Sequence, residues 1–137
     1  MFSLTTKSKY GVDAVLDLAR HYGKGLVQIK GIADRHGIPA QYLVQIMNRL
    51  TRAGLVRAFR GKQGGFSLAH DPRETSFLAV LEALEGPMEL AMGRSEEDAV
   101  KDMFDRVEAA ARKVLDIPLS EVLARQDQRA GALAFQI

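Results

Sequence analysis

Residues 32–52 read Ile32-Ala33-Asp34-Arg35-His36-Gly37-Ile38-Pro39-Ala40-Gln41-Tyr42-Leu43-Val44-Gln45-Ile46-Met47-Asn48-Arg49-Leu50-Thr51-Arg52, and this stretch decides the fold. Leu43, Ile46, Met47 and Leu50 stand at i, i+3, i+4 and i+7, the spacing of one helical face. Pro39 sits where that helix begins, because a fixed φ and a missing amide cost nothing at the first helical position. Gly37 suits a tight turn with positive φ. Before it, Lys30 to His36 predicts a short helix with Ile32 and Ala33 turned inward. Gly54 ends the longer helix near Arg52. The reading is helix, glycine turn, helix.

The flanks complete the unit. Downstream, the runs Leu55–Arg60 and Phe66–Ala69 enclose Gly61-Lys62-Gln63-Gly64-Gly65, which predicts a β-hairpin. Upstream, Tyr10, Ala14, Val15, Leu18, Ala19 and Tyr22 form an apolar stripe on a helix over about Lys7 to Tyr22, with Thr5 or Thr6 as its cap. A short extended piece, Leu26 to Ile29, follows. This order is a winged helix-turn-helix. After the wing, Ser76 predicts the cap of a helix that runs through Glu85, and Gly86-Pro87 stops it. Met88 to Arg94 reads as a linker, with Met88 and Met92 as packing residues. Ser95-Glu96-Glu97-Asp98 is a helix start signal. The helix beyond it carries Val100, Met103, Phe104, Val107, Ala110, Ala111, Val114 and Leu115 at three- and four-residue steps. Pro118 breaks it, and Leu119, Val122 and Leu123 add one amphipathic turn. Gln126 to Ile137 shows no period and reads as a loose tail.

The expected class is therefore mainly α with a small β-hairpin, a winged helix-turn-helix domain plus a long C-terminal dimerisation helix. Residues 1–86 form the winged domain with the helix after the wing. Residues 87–97 form the linker, 98–125 the dimerisation helix and a short following helix, and 126–137 the tail.

Composition removes several chemistries. The chain has 137 residues, 47% hydrophobic and 26% charged, which are ordinary globular values. It has no cysteine, so disulfides, thiolate nucleophiles and cysteine-ligated metals are excluded. No apolar run reaches the roughly 18 residues of a membrane span. Met1 to Tyr10 is polar and lacks a signal-peptide core, so a cytoplasmic protein without membrane contact is expected. His21, His36 and His70 stand apart, and no spacing puts two on one helical face as metal ligands. They read as solvated or capping residues. No nucleophile elbow and no Walker spacing occurs. An enzyme is not expected, nor a cofactor.

Charge points elsewhere. The net value is +2, yet residues 1–70 hold eleven Lys or Arg against three Asp, a net of +8, and the remainder holds −6. No carboxylate lies between Arg35 and His70. Opposite the apolar stripe of the third helix lie Gln41, Gln45, Asn48 and Arg52, one polar ridge. Gln and Asn pair bidentately with adenine, and Arg with guanine. Gln41 and Gln45, nearest the helix N-terminus, are the expected base readers, with Val44 placed to touch a thymine methyl. Tyr42 and Arg52 are assigned to phosphates, while Arg49 lies further round. In the wing, Arg60, Gly61 and Lys62 combine charge with close backbone approach. The partner is then double-stranded DNA. The long apolar helix pairs most economically with a copy of itself through Val100, Met103, Phe104, Val107, Ala111 and Val114. A homodimer of this kind implies an inverted-repeat operator.

Motifs along about Leu4 to Leu123 carry a further resemblance. Leu4-Thr5-Thr6-Lys7-x-x-Tyr10 opens the chain, followed by Ile32-Ala33-x-x-x-Gly37-Ile38, Tyr42-Leu43-x-Gln45-Ile46 and Leu50-x-x-Ala53-Gly54-Leu55-Val56. Arg60-Gly61-x-x-Gly64-Gly65-Phe66-x-Leu68-Ala69 and Glu82-Ala83-Leu84-Glu85-Gly86-Pro87 complete the set. Together they resemble the Rrf2 family of bacterial winged-helix regulators, which includes the iron–sulfur cluster assembly regulator and nitric-oxide-responsive repressors. The resemblance implies a homodimer crossing through the long helix. It also implies DNA contacts from Gln41, Tyr42, Val44, Gln45, Arg60 and Gly61. Cluster-binding members carry three cysteines in a long loop after the wing-side helix. Here that loop is short, Met88 to Arg94, and cysteine-free, so cluster sensing by that chemistry is excluded. Lys62-Gln63 stands where Pro-Gly is common, and Val44 where the cluster assembly regulator has a glutamate.

Two functions are carried forward. The first is a sequence-specific transcription regulator, a homodimeric repressor without an iron–sulfur cluster. The second is a protein-interaction module whose acidic C-terminal half binds a partner that controls DNA binding. In either case the signal would come from a regulatory protein partner or a small-molecule effector.

Overall fold

The computed structural model describes residues 2–136. The elements run α1 (Thr6–Arg20), α2 (Ile29–His36), α3 (Ala40–Arg52), β1 (Val56–Phe59), β2 (Gly65–Leu68), α4 (Phe77–Glu85), α5 (Ala99–Leu115) and α6 (Leu119–Gln136). The expected class, mainly helical with one hairpin, is what the chain adopts. Gly37 takes φ 64° between α2 and α3, a left-handed cap that ends α2.

The core lies where α1, α3 and α4 converge. Leu43, Ile46, Met47 and Leu50 of α3 all face it and are at most 2% exposed. Each fully buried aliphatic side chain of this size contributes about 1.5–3 kcal/mol. Gly11 permits the close approach of α1 to α4, since a Cβ there would lie 2.4 Å from Leu84 Cδ1. β1 and β2 pair antiparallel, Val56 opposite Leu68 and Phe59 opposite Gly65. The extended piece before α2 joins them. Val27 N–H donates to Phe66 O at 2.9 Å and Phe66 N–H donates back at 2.8 Å, so the wing is anchored on a third segment.

After α5 the chain returns to this core. Phe77 N–H donates to Ile117 O and Leu119 N–H to Thr75 O. Ser76 accepts from Ala79 N–H as the cap of α4, as its sequence predicts, and its hydroxyl donates to Asp116 at 2.7 Å. Leu119 is fully buried in the core, with Val122 and Leu123 packed against it.

Four expectations need correction. The segment read as a loose tail is helical, because α6 continues to Gln136. Ile137, its last residue, lies outside the described residues, as does Met1 at the other end. The long helix starts at Ala99, not Ser95. Asp98 caps it by accepting from Val100 N–H, while Ser95 only closes the preceding turn. Thr5 occupies the N-cap of α1 but makes no side-chain cap bond. Met88 is buried as expected, but Met92 is exposed with φ 46°.

A buried carboxylate locks α1 to α2. Asp17, its side chain 3% exposed, accepts from Arg35 Nε and Nη2, both at 2.8 Å. His36 Nε2 lies 2.7 Å from the same carboxylate and His21 Nδ1 lies 2.8 Å from Asp17 O. Burial pushes the Asp17 carboxyl upward. The hydrogen bonds from Arg35 and His36 and the Arg35 charge outweigh that and hold it below its ordinary value. The carboxylate therefore stabilises the fold above its unfolded-state pKa of about 3.9 and stops doing so as pH falls through the lowered folded value. Asp17→Asn is expected to lose about 2 kcal/mol near neutral pH by urea titration. That deficit should shrink below about pH 4. A deficit that stays constant into acid would show that the charge plays no part.

Candidate DNA interface

α3 presents its polar ridge to solvent because its apolar stripe is fully used inside. Gln41, Gln45, Asn48 and Arg52 are all exposed, and Val44 beside them is 41% exposed. Tyr42 is half-buried, its ring edge-on to Tyr10 at 5.6 Å, which ties the first turn of α3 to α1. A groove of ≈ 290 Å³ runs along the ridge, lined by Tyr42, Gln45, Asn48, Arg49 and Arg52 of α3 and by Lys7 of α1. Arg49, placed further round by the helical count, thus shares the groove with Arg52. Lys7 had no signal in the local pattern, since its approach depends on how α1 packs on α3.

The wing brings a second basic element. Arg60, Gly61, Lys62 and Gln63 are exposed at its tip. The turn is closed by Gly64 N–H donating to Gly61 O at 3.0 Å. The Gln28 side chain, at the start of α2, donates to Gly64 O. That bond couples the wing to the helix-turn-helix.

Among the described residues, Arg49, Arg52, Arg57, Arg60 and Lys62 have no ion-pair partner. In the C-terminal half Arg73, Arg94, Lys101, Arg112 and Arg125 are paired with carboxylates, while Arg106, Lys113 and Arg129 are not, among the described residues. What distinguishes α3 and the wing is that their five unpaired cations lie in a stretch of chain without a carboxylate, which favours a polyanion.

Lys7 is the exception on this face. Its Nζ lies 3.2 Å from Glu85 of α4, whose side chain is only 4% exposed. Glu85 also accepts from Thr5 N–H at 3.1 Å and from the Thr5 hydroxyl at 2.8 Å. It does from another helix the capping that Thr5 does not do for α1. Burial pushes the Glu85 carboxyl upward, and the hydrogen bonds from Thr5 and Lys7 with the Lys7 charge bring it below its ordinary value.

The residues assigned to dimerisation lie on α5, which buries none of its residues in the single chain. Met103, Phe104, Val107 and Val114 are exposed, and Val100 and Ala111 are half-covered. Arg94 lies 5.8 Å from the Phe104 ring centre. The linker before α5 is held by polar contacts. Met88 N–H donates to Glu82, Arg112 donates to Met88 O, and Leu90 N–H donates to Glu108.

Helix-turn-helix, wing and a basic face built on a stretch of chain without carboxylates define a winged-helix DNA-binding protein. The match to known proteins makes the class specific. Residues 4–125 match the family described as Iron-dependent Transcriptional regulator, Rrf2. The chain is 33% identical over 122 residues to the HTH-type transcriptional regulator CymR of Bacillus subtilis, covering 88% of each chain. It is 31% identical over 135 residues to the transcriptional regulator IscR of Serratia proteamaculans, covering 90% of this chain and 80% of that one. The solved structure of T. potens IscR superposes with a TM-score of 0.78 at 36% identity, over 93% of this chain and 90% of that one. The chain belongs to the Rrf2 family and is a DNA-binding transcriptional regulator, not an enzyme.

An iron-dependent family raises the question whether this chain could hold iron. The chain has no cysteine, and no group of three His, Asp or Glu is arranged to hold a metal ion among the described residues. The donor set does not fit a cysteine-held cluster. Among the described residues no helix is long and apolar enough to cross a membrane.

Proposed function

We propose that the protein is a homodimeric repressor that binds an inverted-repeat operator without an iron–sulfur cluster. The observation that carries this reading is the set of unpaired cations around α3 and the wing, on a face with no competing carboxylate between Arg35 and His70. α3 of each copy enters the major groove. Gln41 and Gln45 read bases, Val44 contacts a thymine methyl, and Asn48 extends the reading ridge. Tyr42 and Arg52 hold phosphates. Arg60, Gly61 and Lys62 of the wing lie against the backbone or the adjacent minor groove. The apolar face of α5 joins two copies, which sets the half-sites in two-fold relation. Occupying the operator excludes transcription. The signal that releases it comes from a protein partner or a small molecule, since cluster ligands are missing.

Gln45→Ala tests the assignment. On duplexes selected by the wild-type protein from genomic fragments, the variant is expected to lose about 1–3 kcal/mol of binding. The loss should concentrate at one base pair per half-site, with other positions unchanged. Binding with an identical base preference would remove Gln45 from the reading set.

A further inference from the structure

Lys7 and Glu85 were assigned no part in binding by sequence pattern. Lys7 of α1 lines the recognition groove together with Gln45, Asn48, Arg49 and Arg52 of α3. A groove lined by cations from two helices and by amide side chains fits a phosphodiester strand running along it. We propose that Lys7 is a phosphate contact of the DNA backbone, and that Glu85 is the positioning residue that holds its ammonium at the rim of the groove. The proposal rests on the α3 interface described above and extends it to α1 and α4.

The physical case begins with Glu85. A nearly buried carboxylate next to a polyanion site is unfavourable unless its charge is fully answered. Here two donors of Thr5 and the Lys7 ammonium answer it. A lysine on a free four-carbon stem samples many rotamers and loses that freedom on contact. With its ammonium already held by Glu85, less is lost when DNA arrives. The ammonium has three donors. One serves Glu85, and two remain for a phosphate oxygen. Lys7 is thus a bridge between a fixed internal carboxylate and an external phosphate, whereas Arg49 and Arg52 have no such partner.

Salt dependence reads this contact directly. The probe is a fluorescent mixed-sequence duplex of about two helical turns, with anisotropy recorded between roughly 50 and 200 mM KCl. Lys7→Gln removes the charge but leaves Glu85 a neutral donor, so the fold is kept, which a thermal melt checks. It is expected to weaken binding about fivefold at low salt and to reduce the slope of log affinity against log salt by about 0.9 per engaged protomer. Lys7→Arg should restore both. An unchanged slope for Lys7→Gln would overturn the contact, provided that Arg52→Gln lowers it in the same assay. If Arg52→Gln leaves the slope unchanged as well, the α3 interface itself is wrong and the proposal falls with it. Glu85 is tested by the cycle. In a Glu85→Gln background the effect of Lys7→Gln should shrink to less than half, because the ammonium is no longer held. An undiminished effect would show that Lys7 finds the phosphate unaided and would remove Glu85 from the proposal.

Discussion

Phe104→Asp is expected to leave the protein monomeric by light scattering and to lower its affinity for an inverted-repeat duplex by about a hundredfold or more. The size of the effect follows from α5. Its seventeen residues, Ala99–Leu115, bury nothing in the single chain, and Val107 and Val114 are 56% and 65% exposed. An apolar face of this extent is unusual on a surface helix that has no partner. Placing a carboxylate at its centre would leave an unpaired charge in the buried core of the contact. Asp105 and Glu108 of α5 are already matched by its own Lys101 and Arg112, and Asp98 by Arg94, so repulsion is not needed for the loss: desolvating the new carboxylate suffices. Two linked recognition helices bind far more tightly than one, because the second contact is made at high effective concentration. Phe104→Leu keeps the apolar surface and should stay dimeric. A dimer that survives Phe104→Asp would place the interface elsewhere.

The parts of this molecule that were legible in sequence share one property, a local cause. α3 was legible because Leu43, Ile46, Met47 and Leu50 repeat with the helical period and all reach the core. The hairpin was legible from its glycines, and the α4 cap from Ser76. What was missed depends on partners distant in sequence. Thr5 does not cap α1 because Glu85, eighty residues away, bonds to its amide and hydroxyl. His21 and His36 read as isolated, yet both meet Asp17, which lies among apolar residues of α1. The helical tail was missed for a different reason. Gln126 to Arg129 are exposed on every side, so no apolar period marks them. Good helix formers, the Arg125–Glu121 pair and the Arg20–Asp127 bridge to α1 hold that segment instead. Propensity was the available signal there, and periodicity the wrong one. On the candidate face, the exposure of the α3 ridge and wing tip follows from local pattern, while the approach of Lys7 depends on packing.

Gly64→Ala is expected to reduce DNA affinity at least tenfold while leaving the helical core folded. Gly64 is buried under the wing, and a Cβ there would lie 2.0 Å from Phe59 O and 2.8 Å from the Arg60 carbonyl carbon. Both neighbours are backbone, so no side-chain rotation relieves the clash. Phe59 is the last paired residue of β1, opposite Gly65. Moving its carbonyl opens the end of the hairpin. The same shift breaks the bond that the Gln28 side chain makes to Gly64 O and so frees Arg60, Gly61 and Lys62 from their tie to the helix-turn-helix. Leu43, Leu50 and Leu84 are untouched, so the melt should change far less than the binding. Gly61→Ala is the informative contrast. Gly61 has φ 103° but open space around its Cβ position, so alanine there meets only the left-handed backbone penalty of about 1–2 kcal/mol. Anisotropy with an operator duplex should rank wild type above Gly61→Ala and Gly61→Ala above Gly64→Ala. Full affinity in Gly64→Ala, with the Val27–Phe66 amides still protected from hydrogen exchange, would show that the wing tip tolerates displacement and contributes little to binding.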